Sequence, residues 1–358
     1  MLPLHQALLA LTAAGADRDA NGVVPTLDAQ QWDSLFDQAC QQNVAPQVCV
    51  ALERHIAQAP LDTKIKFATI KAQTASKYLL ARRTLAELLQ LFNAHGIDTM
   101  LLKGLTLSRL YPRPEERHFG DIDYYQYGRW READALVKST YGIDVTNNTH
   151  HHSKFSLHGL LVENHYDFIA RYGHRGNGKH ERLLKSLAGA KRRPHTLDGQ
   201  ACLLPPENLA AVFYLRHMAA HFSADRISLR HLLDWTLFCQ HEGDEVDWTL
   251  VADTASRFGY LTFATAMEEL CRRHLGHTPR LPQQADATLA DRVLNEILAS
   301  PFEQTTLHTL TPLKRIAFKW HRRKAARWKH DICYAAPWTV DLIYGIGSKV
   351  IKPYTILH

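Results

Sequence analysis

The sequence predicts an α+β fold in which a small mixed β-sheet is flanked by helical regions on both sides along the chain. Apolar residues recur at helical spacing before residue 96. Residues 96–168 change to short alternating segments separated by glycine-containing turns, and residues 207–275 return to a helical pattern without an internal proline. We therefore expect four regions, in chain order: an N-terminal helical region (1–95), an α/β core (96–200), a C-terminal helical bundle (201–300) and a basic and apolar segment (301–358).

The N-terminal region has the pattern of a helical scaffold. Trp32–Gln42 and Val44–His55 are short helix candidates, and residues 61–95 contain neither glycine nor proline. Five apolar residues in this last stretch recur in steps of three and four, as in a helix that packs on a core: Tyr78, Ala81, Leu85, Leu88 and Phe92.

The central region alternates strand and helix signals between turns. We expect these elements, in chain order: a strand at Ile97–Leu102, a strand at Gly120–Tyr125, a helix at Trp130–Thr140, a short strand at Ile143–Val145, and a hairpin of His152–Leu157 with Leu160–Phe168.

Two carboxylates on the second of these strands are the strongest sign of chemistry. Side chains alternate faces along a strand, so Asp121 and Asp123 point the same way. Two neighbouring carboxylates repel each other unless a cation lies between them, and oxygen ligands suit Mg²⁺. An acid-x-acid pair is also common on ordinary solvated strands, so this pair needs support from its surroundings.

The surrounding sequence resembles the polymerase-β-like nucleotidyltransferases, whose pattern is a glycine turn after a strand, an acid-x-acid strand and a third acid on a later strand. More narrowly, it is similar to an uncharacterised nucleotidyltransferase family of bacteria. The residues that carry this similarity are Gly96, Ile97, Leu101, Leu102, Lys103, Gly104, Leu105, Tyr111, Arg117, Gly120, Asp121, Ile122 and Asp123. Further matches, at Glu163 and His165 and around Arg230 and Asp234, extend the resemblance from about Trp32 to Trp235.

The resemblance implies a role for each matching residue. Asp121, Asp123 and Glu163 are expected to hold Mg²⁺ or Mn²⁺, with His165 as an accessory group and Asp167 as the reserve third acid. The expected nucleotide-binding residues are Lys103, Gly104, Arg117 and Gly120. This sequence has Lys103-Gly104 where the wider superfamily has a Gly-Ser turn, which makes the phosphate contacts less defined than the metal contacts.

The activity implied is transfer of a nucleoside monophosphate from an NTP to an unidentified hydroxyl-bearing acceptor. Two alternatives stay open: a non-catalytic binding protein with the same fold, and a metal-dependent phosphoesterase that activates water at the same carboxylates.

Three polar segments have less specific patterns. His150-His151-His152 invites a zinc interpretation, but successive strand residues face opposite sides, so the run is a poor chelate. Residues 170–200 are rich in glycine and in basic residues. This composition fits either a mobile lid or a solvated connection. His217 and His221 lie four apart on a predicted helix, a spacing more typical of a structural pair than of a zinc site.

The formal charge of +6 comes from one segment near the C-terminus. Eight basic residues and no acid lie between Lys314 and Lys329, and the remainder carries +6 − 8 = −2. We expect the helix from Pro312 to Lys329 to dock through Leu313, Ile316 and Trp320, while contact with nucleic acid or an anionic membrane is the alternative.

Composition favours a cytoplasmic protein. No apolar run approaches the ~20 residues of a transmembrane helix. The first residues are apolar without a preceding base, which predicts a first helix rather than a signal peptide. Six scattered cysteines without a C-x-x-C pair are not a disulfide framework or a metal cluster.

Overall fold

The computed structural model describes the following residues: 3–17, 26–54, 59–147, 151–283, 285–299 and 311–351. Within them the chain forms the expected α+β fold, with a six-stranded mixed sheet preceded and followed by helices.

The N-terminal region is helical, as predicted. Its helices are α1 (Pro3–Ala16), α2 (Ala29–Gln41), α3 (Ala45–Arg54) and α4 (Leu61–Ala94). Asp28 caps α2 through a reciprocal pair of hydrogen bonds with Gln31. All five residues of the predicted stripe on α4 are buried, in a cluster that also contains Leu101, Ile122 and Val162 of the sheet. The long helix therefore covers one face of the sheet.

The sheet is mixed because its central strands form both parallel and antiparallel pairs. The strands are β1 (Met100–Leu101), β2 (Asp121–Tyr125), β3 (His152–Leu157), β4 (Leu160–His165), β5 (Arg193–Leu197) and β6 (Gln200–Leu204). Their order is β3-β4-β2-β1-β6-β5. The pairs β2–β4 and β1–β6 are parallel, and the other three are antiparallel.

Between these strands lie the helices α5 (Lys103–Ser108), α6 (Trp130–Tyr141) and α7 (Asn177–Ala190). The predicted helix after β2 is confirmed as α6, which ends at Gly142 in a left-handed conformation. The predicted β3–β4 hairpin is confirmed as well.

Three local predictions were wrong. Residues 143–145 form no strand; only the bridge Thr146–Lys154 lies there. The strand predicted to reach Phe168 ends at His165. The alternative of a plain connection over residues 170–200 was wrong, because they contain α7 and the start of the β5–β6 hairpin, which extends the sheet beside β1. The local signal of this hairpin is the two-residue turn Asp198-Gly199, where both residues have positive φ, and the sequence prediction did not use it.

The C-terminal half is helical. Its helices are α8 (Glu207–Ala224), α9 (Leu229–Glu242), α10 (Trp248–Phe258), α11 (Leu261–Leu275), α12 (Ala287–Leu298), α13 (Pro312–Ala325), α14 (Arg327–Cys333) and α15 (Trp338–Ile351). Helices α8, α9 and α11 supply much of the main core, which continues into α1 and α3. No helix in the described ranges is long and apolar enough to cross a bilayer.

Of the three residues predicted to dock the basic helix, Trp320 is half buried. Its side chain is 49% exposed, and its ring centroid lies 5.9 Å from that of Trp338 on α15. The side chains of Leu313 and Ile316 lie outside the described residues.

Candidate active site

Strand register brings the predicted acids together. Because β2 and β4 are parallel neighbours with Asp123 paired to Glu163, these carboxylates lie side by side on one face of the sheet. Asp121, two residues earlier, shares that face, as does His165, two residues after Glu163. The structure thus assembles the acid-x-acid strand and the third-acid strand in one place.

Two cationic groups hold the inner carboxylate. Oδ1 of Asp123 lies 3.0 Å from Nζ of Lys103 and 2.9 Å from Nε2 of His165. Burial alone would raise the pKa of Asp123, but these two neighbours outweigh it and hold the pKa well below its usual range. Burial opposes the charge on Lys103 in the same way, and Asp123, Asp121 and Glu163 together raise its pKa.

His165 bridges the two facing acids. Its Nε2 also lies 3.5 Å from Oε2 of Glu163, and its Nδ1 lies 3.3 Å from the carbonyl oxygen of Asp167. Burial would lower the pKa of His165, but the bonds to Asp123 and Glu163 outweigh burial and raise it. Both ring nitrogens face acceptors, so the ring donates from both. Burial likewise would raise the pKa of Glu163, and its bond with His165 lowers it.

Asp121 has a different environment from its partner. Burial and the charge of Asp123 raise its pKa to about 6. It is the carboxylate of the set whose charge is least compensated.

The Lys103-Gly104 turn is shaped around these acids. Both residues have positive φ, +26° and +29°. A Cβ on Gly104 would lie 3.2 Å from the carbonyl oxygen of Asp121, so glycine meets both a conformational and a steric requirement. The backbone N–H of Leu102 donates to the carbonyl of Asp123 at 2.9 Å, which ties the turn to β2.

Arg117, a predicted phosphate ligand, serves as an internal anchor. It is buried, and its Nε and Nη2 donate to the two carboxylate oxygens of Asp234 at 2.7 and 2.9 Å. Its Nη1 donates to the carbonyl of Gly104 at 3.0 Å. Arg117 therefore links the glycine turn of the core to helix α9, and its guanidinium is directed at protein groups.

Asp167 and Gly120 have contrasting positions. Asp167 lies beyond the end of β4 and is paired with Lys185 and Arg171, the latter at 2.8 Å. Its predicted place on the strand face with Glu163 was wrong because the strand stops first. Gly120 lies on the cavity wall just before Asp121, where a Cβ would meet nothing within 4 Å.

Two histidines that the sequence argument set aside lie beside the carboxylates. Nε2 of His152 is 3.3 Å from Oε1 of Glu163. The ring of His151 lies 4.4 Å from that of His152 and 5.5 Å from that of His165, centroid to centroid. His151 precedes β3 in a bend, so strict strand alternation does not apply to it. His150 lies outside the described residues.

The carboxylates open onto a cavity of about 740 Å³ between the sheet and the helical bundle. Ligand sites in proteins are roughly 300–1,000 Å³, so an NTP is of suitable size. Beyond the sheet, helices α8 and α9, residues 168–177 and Tyr334 form the walls. His217 and His221 both line it from α8. Burial lowers the pKa of each, which leaves them neutral near pH 7.

The donor set fits a divalent cation. Three carboxylates on one face lie beside one lysine and one histidine, so the acidic groups outnumber the basic ones even when His165 is protonated. Asp123, Glu163 and His165 each offer a ligand atom, all within 4.8 Å of one another.

In chain order the structure has a glycine turn after β1, Asp121 and Asp123 on β2 and Glu163 on β4. The chain belongs to the family described as uncharacterised nucleotidyltransferase, which it matches over residues 28–276. No curated protein matches it significantly.

Two solved structures are similar to parts of this chain. The solution structure of the antibiotic-resistance factor ANT(2'')-Ia is 14% identical, covers 56% of this chain and 100% of its own, and has a TM-score of 0.38. An antigenic nucleotidyltransferase-like protein from Paracoccidioides brasiliensis is 13% identical, with coverages of 59% and 96% and a TM-score of 0.34. The family assignment rests on the sequence match.

Proposed function

We propose that the protein transfers a nucleoside monophosphate from an NTP to a hydroxyl-bearing acceptor in a reaction that depends on a divalent cation. The observation that carries this proposal is the pairing of Asp123 with Glu163 on adjacent parallel strands, facing a cavity that also contains Lys103. Membership in the family supports the reaction class.

Asp121, Asp123 and Glu163 would hold Mg²⁺ or Mn²⁺, which offsets negative charge on the entering and leaving oxygens. In the transfer, the acceptor oxygen bonds to the α-phosphorus while the bond to pyrophosphate breaks. Lys103, on the cavity wall, donates to the departing phosphates. Glu163, ionised at neutral pH because its pKa is lowered, takes the hydroxyl proton.

His165 and Arg117 act as positioning residues in this proposal. His165 fixes the two facing carboxylates, and Arg117 fixes the Gly104 turn by tying it to Asp234. Both contacts are buried, so the groups around the α-phosphate would be ordered before substrate binds.

The proposal is tested with α-labelled ATP, CTP, GTP and UTP, incubated with lysate and purified protein. We expect label on an acceptor with the wild type and with Asp144→Asn, whose side chain is 93% exposed, and none with Asp123→Asn. Release of labelled NMP alone would indicate a phosphoesterase. Label transfer that persists in Asp123→Asn would contradict the proposed site.

The exposed bases of the basic C-terminal helix, within Lys314–Lys329, support a second role, contact with an anionic partner such as nucleic acid or an anionic membrane. Lys329 itself is buried and paired with Glu296, so it does not belong to this surface. Trp320 is half exposed, and Lys314, Arg323 and Lys324 are exposed beside it. If this helix binds a polyanion, RNA affinity will fall steeply with salt, because each phosphate contact releases counterions. Salt-independent RNA retention, or none, would contradict a nucleic-acid role. Anionic-vesicle flotation tests the membrane alternative.

A further inference from the structure

We propose that the site contains two cation subsites with different donor atoms. One is an oxygen subsite at Asp121 and Asp123. The other is a mixed nitrogen–oxygen subsite formed by Asp123, Glu163, His165 and His152, which takes Mn²⁺, Co²⁺ or Zn²⁺ in preference to Mg²⁺. This inference rests on the proposed function for the role of the site, and its test does not use turnover alone.

The spacing of the donor atoms carries the argument. Nε2 of His165 lies 2.9 Å from Oδ1 of Asp123 and 3.5 Å from Oε2 of Glu163, and Nε2 of His152 lies 3.3 Å from Oε1 of Glu163. Bonds of about 2.1 Å place neighbouring ligands of one ion about 3.0–3.4 Å apart in octahedral or tetrahedral geometry. Asp123, Glu163 and His165 therefore offer ligand atoms at close to the spacing that one ion requires, all within 4.8 Å of one another, and His152 reaches the second oxygen of Glu163.

The ring of His165 is oriented as a metal ligand usually is. Its Nδ1 faces the carbonyl oxygen of Asp167 at 3.3 Å, and its Nε2 faces the carboxylates. Ligating histidines commonly donate the other ring N–H to a backbone carbonyl, which fixes the ring and the lone pair. An ion that binds Nε2 would displace the proton of that nitrogen to solvent and replace its hydrogen bond, while the hydrogen bond from Nδ1 to Asp167 stays intact.

A third imidazole adjoins the same subsite. His151, His152 and His165 offer ligand atoms within 4.8 Å of one another. Nζ of Lys103 lies 3.0 Å from Asp123. An entering ion must therefore displace Lys103 from this carboxylate or bind the carboxylate together with it. Imidazole favours the later transition ions and zinc, whereas Mg²⁺ prefers oxygen ligands and retains its waters, so the donor set discriminates between them.

Calorimetric titration of the full chain with MgCl₂, MnCl₂ or ZnCl₂ alone tests this inference. We expect Mn²⁺ and Zn²⁺ to bind at least about tenfold more tightly than Mg²⁺, and His152→Ala or His165→Gln to lose about tenfold or more of that affinity. The matched control is His158→Ala, in the β3–β4 turn, whose side chain is 47% exposed and pairs with Glu87; it should bind as the wild type does.

Asp121→Asn separates the two subsites. It should retain the tight transition-ion site because Asp121 belongs only to the oxygen subsite. Far-ultraviolet circular dichroism checks the fold of each variant, and if His165→Gln does not fold, His152→Ala decides.

Equal affinity for Mg²⁺ and Mn²⁺, or full affinity in both histidine variants, overturns the inference. If label is transferred with Mg²⁺ while no ion is preferred, only this inference fails. If ions bind tightly through the histidines and no ion supports transfer, only the proposed function fails.

Discussion

Asp123 and Asp234 are both buried aspartates, yet their surroundings differ in the sign of the local charge. Both carboxylate oxygens of Asp234 accept a hydrogen bond from Arg117. Asp234 accepts a further hydrogen bond from Arg230 at 2.9 Å and one from the Tyr111 hydroxyl at 2.7 Å. Burial would raise its pKa, but the two arginines outweigh burial and lower it to about 2. This cluster holds one carboxylate between two guanidiniums.

The cluster around Asp123 has the opposite balance. Its carboxylate shares Lys103 and His165 with Glu163 and with Asp121, so three acids face two bases. An excess of buried negative charge is costly unless a cation is added, whereas the bidentate pair at Asp234 is complete. The comparison supports the proposal that Asp123 belongs to a ligand site, in contrast to Asp234, whose charge is already paired within the protein.

The largest effect is expected from Asp123→Ala, which should reduce transfer to the level of the assay without protein. The fold should persist because Asp121 and Glu163 remain close to Lys103 and His165 when the Asp123 carboxylate is removed, so neither base loses all of its acidic neighbours. Transfer of label from α-labelled NTP and the melting temperature are measured for this variant. Asp144→Ala, which changes an exposed side chain, is the control. A variant that unfolds would show that Asp123, like Asp234, is mainly structural.

Asp234→Ala should reverse this pattern. Removing it leaves Arg117 buried without its carboxylate, which costs about 3–5 kcal/mol of unfolding free energy. Urea unfolding followed by circular dichroism measures this loss. A folded Asp234→Ala protein of unchanged stability would remove the distinction between the two clusters.

Glu163→Gln and Asp167→Asn distinguish the two candidate third acids. We expect the first to reduce transfer strongly, since Glu163 faces Asp123, and the second to leave the rate nearly unchanged. Asp167→Asn should instead cost about 1 kcal/mol of stability, because Lys185 and Arg171 lose a charged partner. Initial rates and urea midpoints of both proteins decide the matter, and an inactive Asp167→Asn would reverse the assignment.

Asp121→Asn should stabilise the metal-free protein at pH 8 by about 1 kcal/mol. The pKa of Asp121 is raised to about 6, which means that the folded protein favours the protonated carboxyl. The stability that this protonated form contributes is present at low pH and is lost as pH rises through 6. The amide of the Asp121→Asn variant cannot ionise, so the variant keeps this stability at high pH. The unfolding free energies of the two proteins should become equal below about pH 4. Melting temperatures across pH in the presence of EDTA measure the difference, and a variant less stable at pH 8 would contradict the pKa shift.

Trp320→Ala, far from either aspartate in sequence, should have the smallest effect, about 1 kcal/mol or less, because half of the side chain is already exposed. Trp32→Ala is the matched control: this tryptophan is 1% exposed, and its truncation should cost about 3–5 kcal/mol. Equal losses in urea unfolding would mean that the basic helix docks through Trp320 after all.

Local patterns predicted the elements that depend on neighbouring residues. The stripe on α4, the β3–β4 hairpin and the common face of Asp121 and Asp123 follow from periods of 3.6 and 2, which short segments carry by themselves. The β5–β6 hairpin was missed although its Asp198-Gly199 turn is a local signal, whereas its place in the sheet depends on the pairing of β6 with β1, about a hundred residues earlier.

The site shows the same division. Alternation correctly placed Glu163 and His165 on one face, but the end of the strand, which excludes Asp167 from it, depends on tertiary contacts. Nor did spacing reveal that Arg117 is committed to Asp234, since the two are 117 residues apart.

The sequence by itself therefore determined the α+β class, the family and the acid-bearing strands, because periodicity and short motifs are local properties. Tertiary structure alone decided the parallel register that sets Glu163 beside Asp123, and the approach of His152 to Glu163 with His151 beside it. Ion binding depends on distances between atoms of separate strands. Those distances exist only once the sheet is assembled.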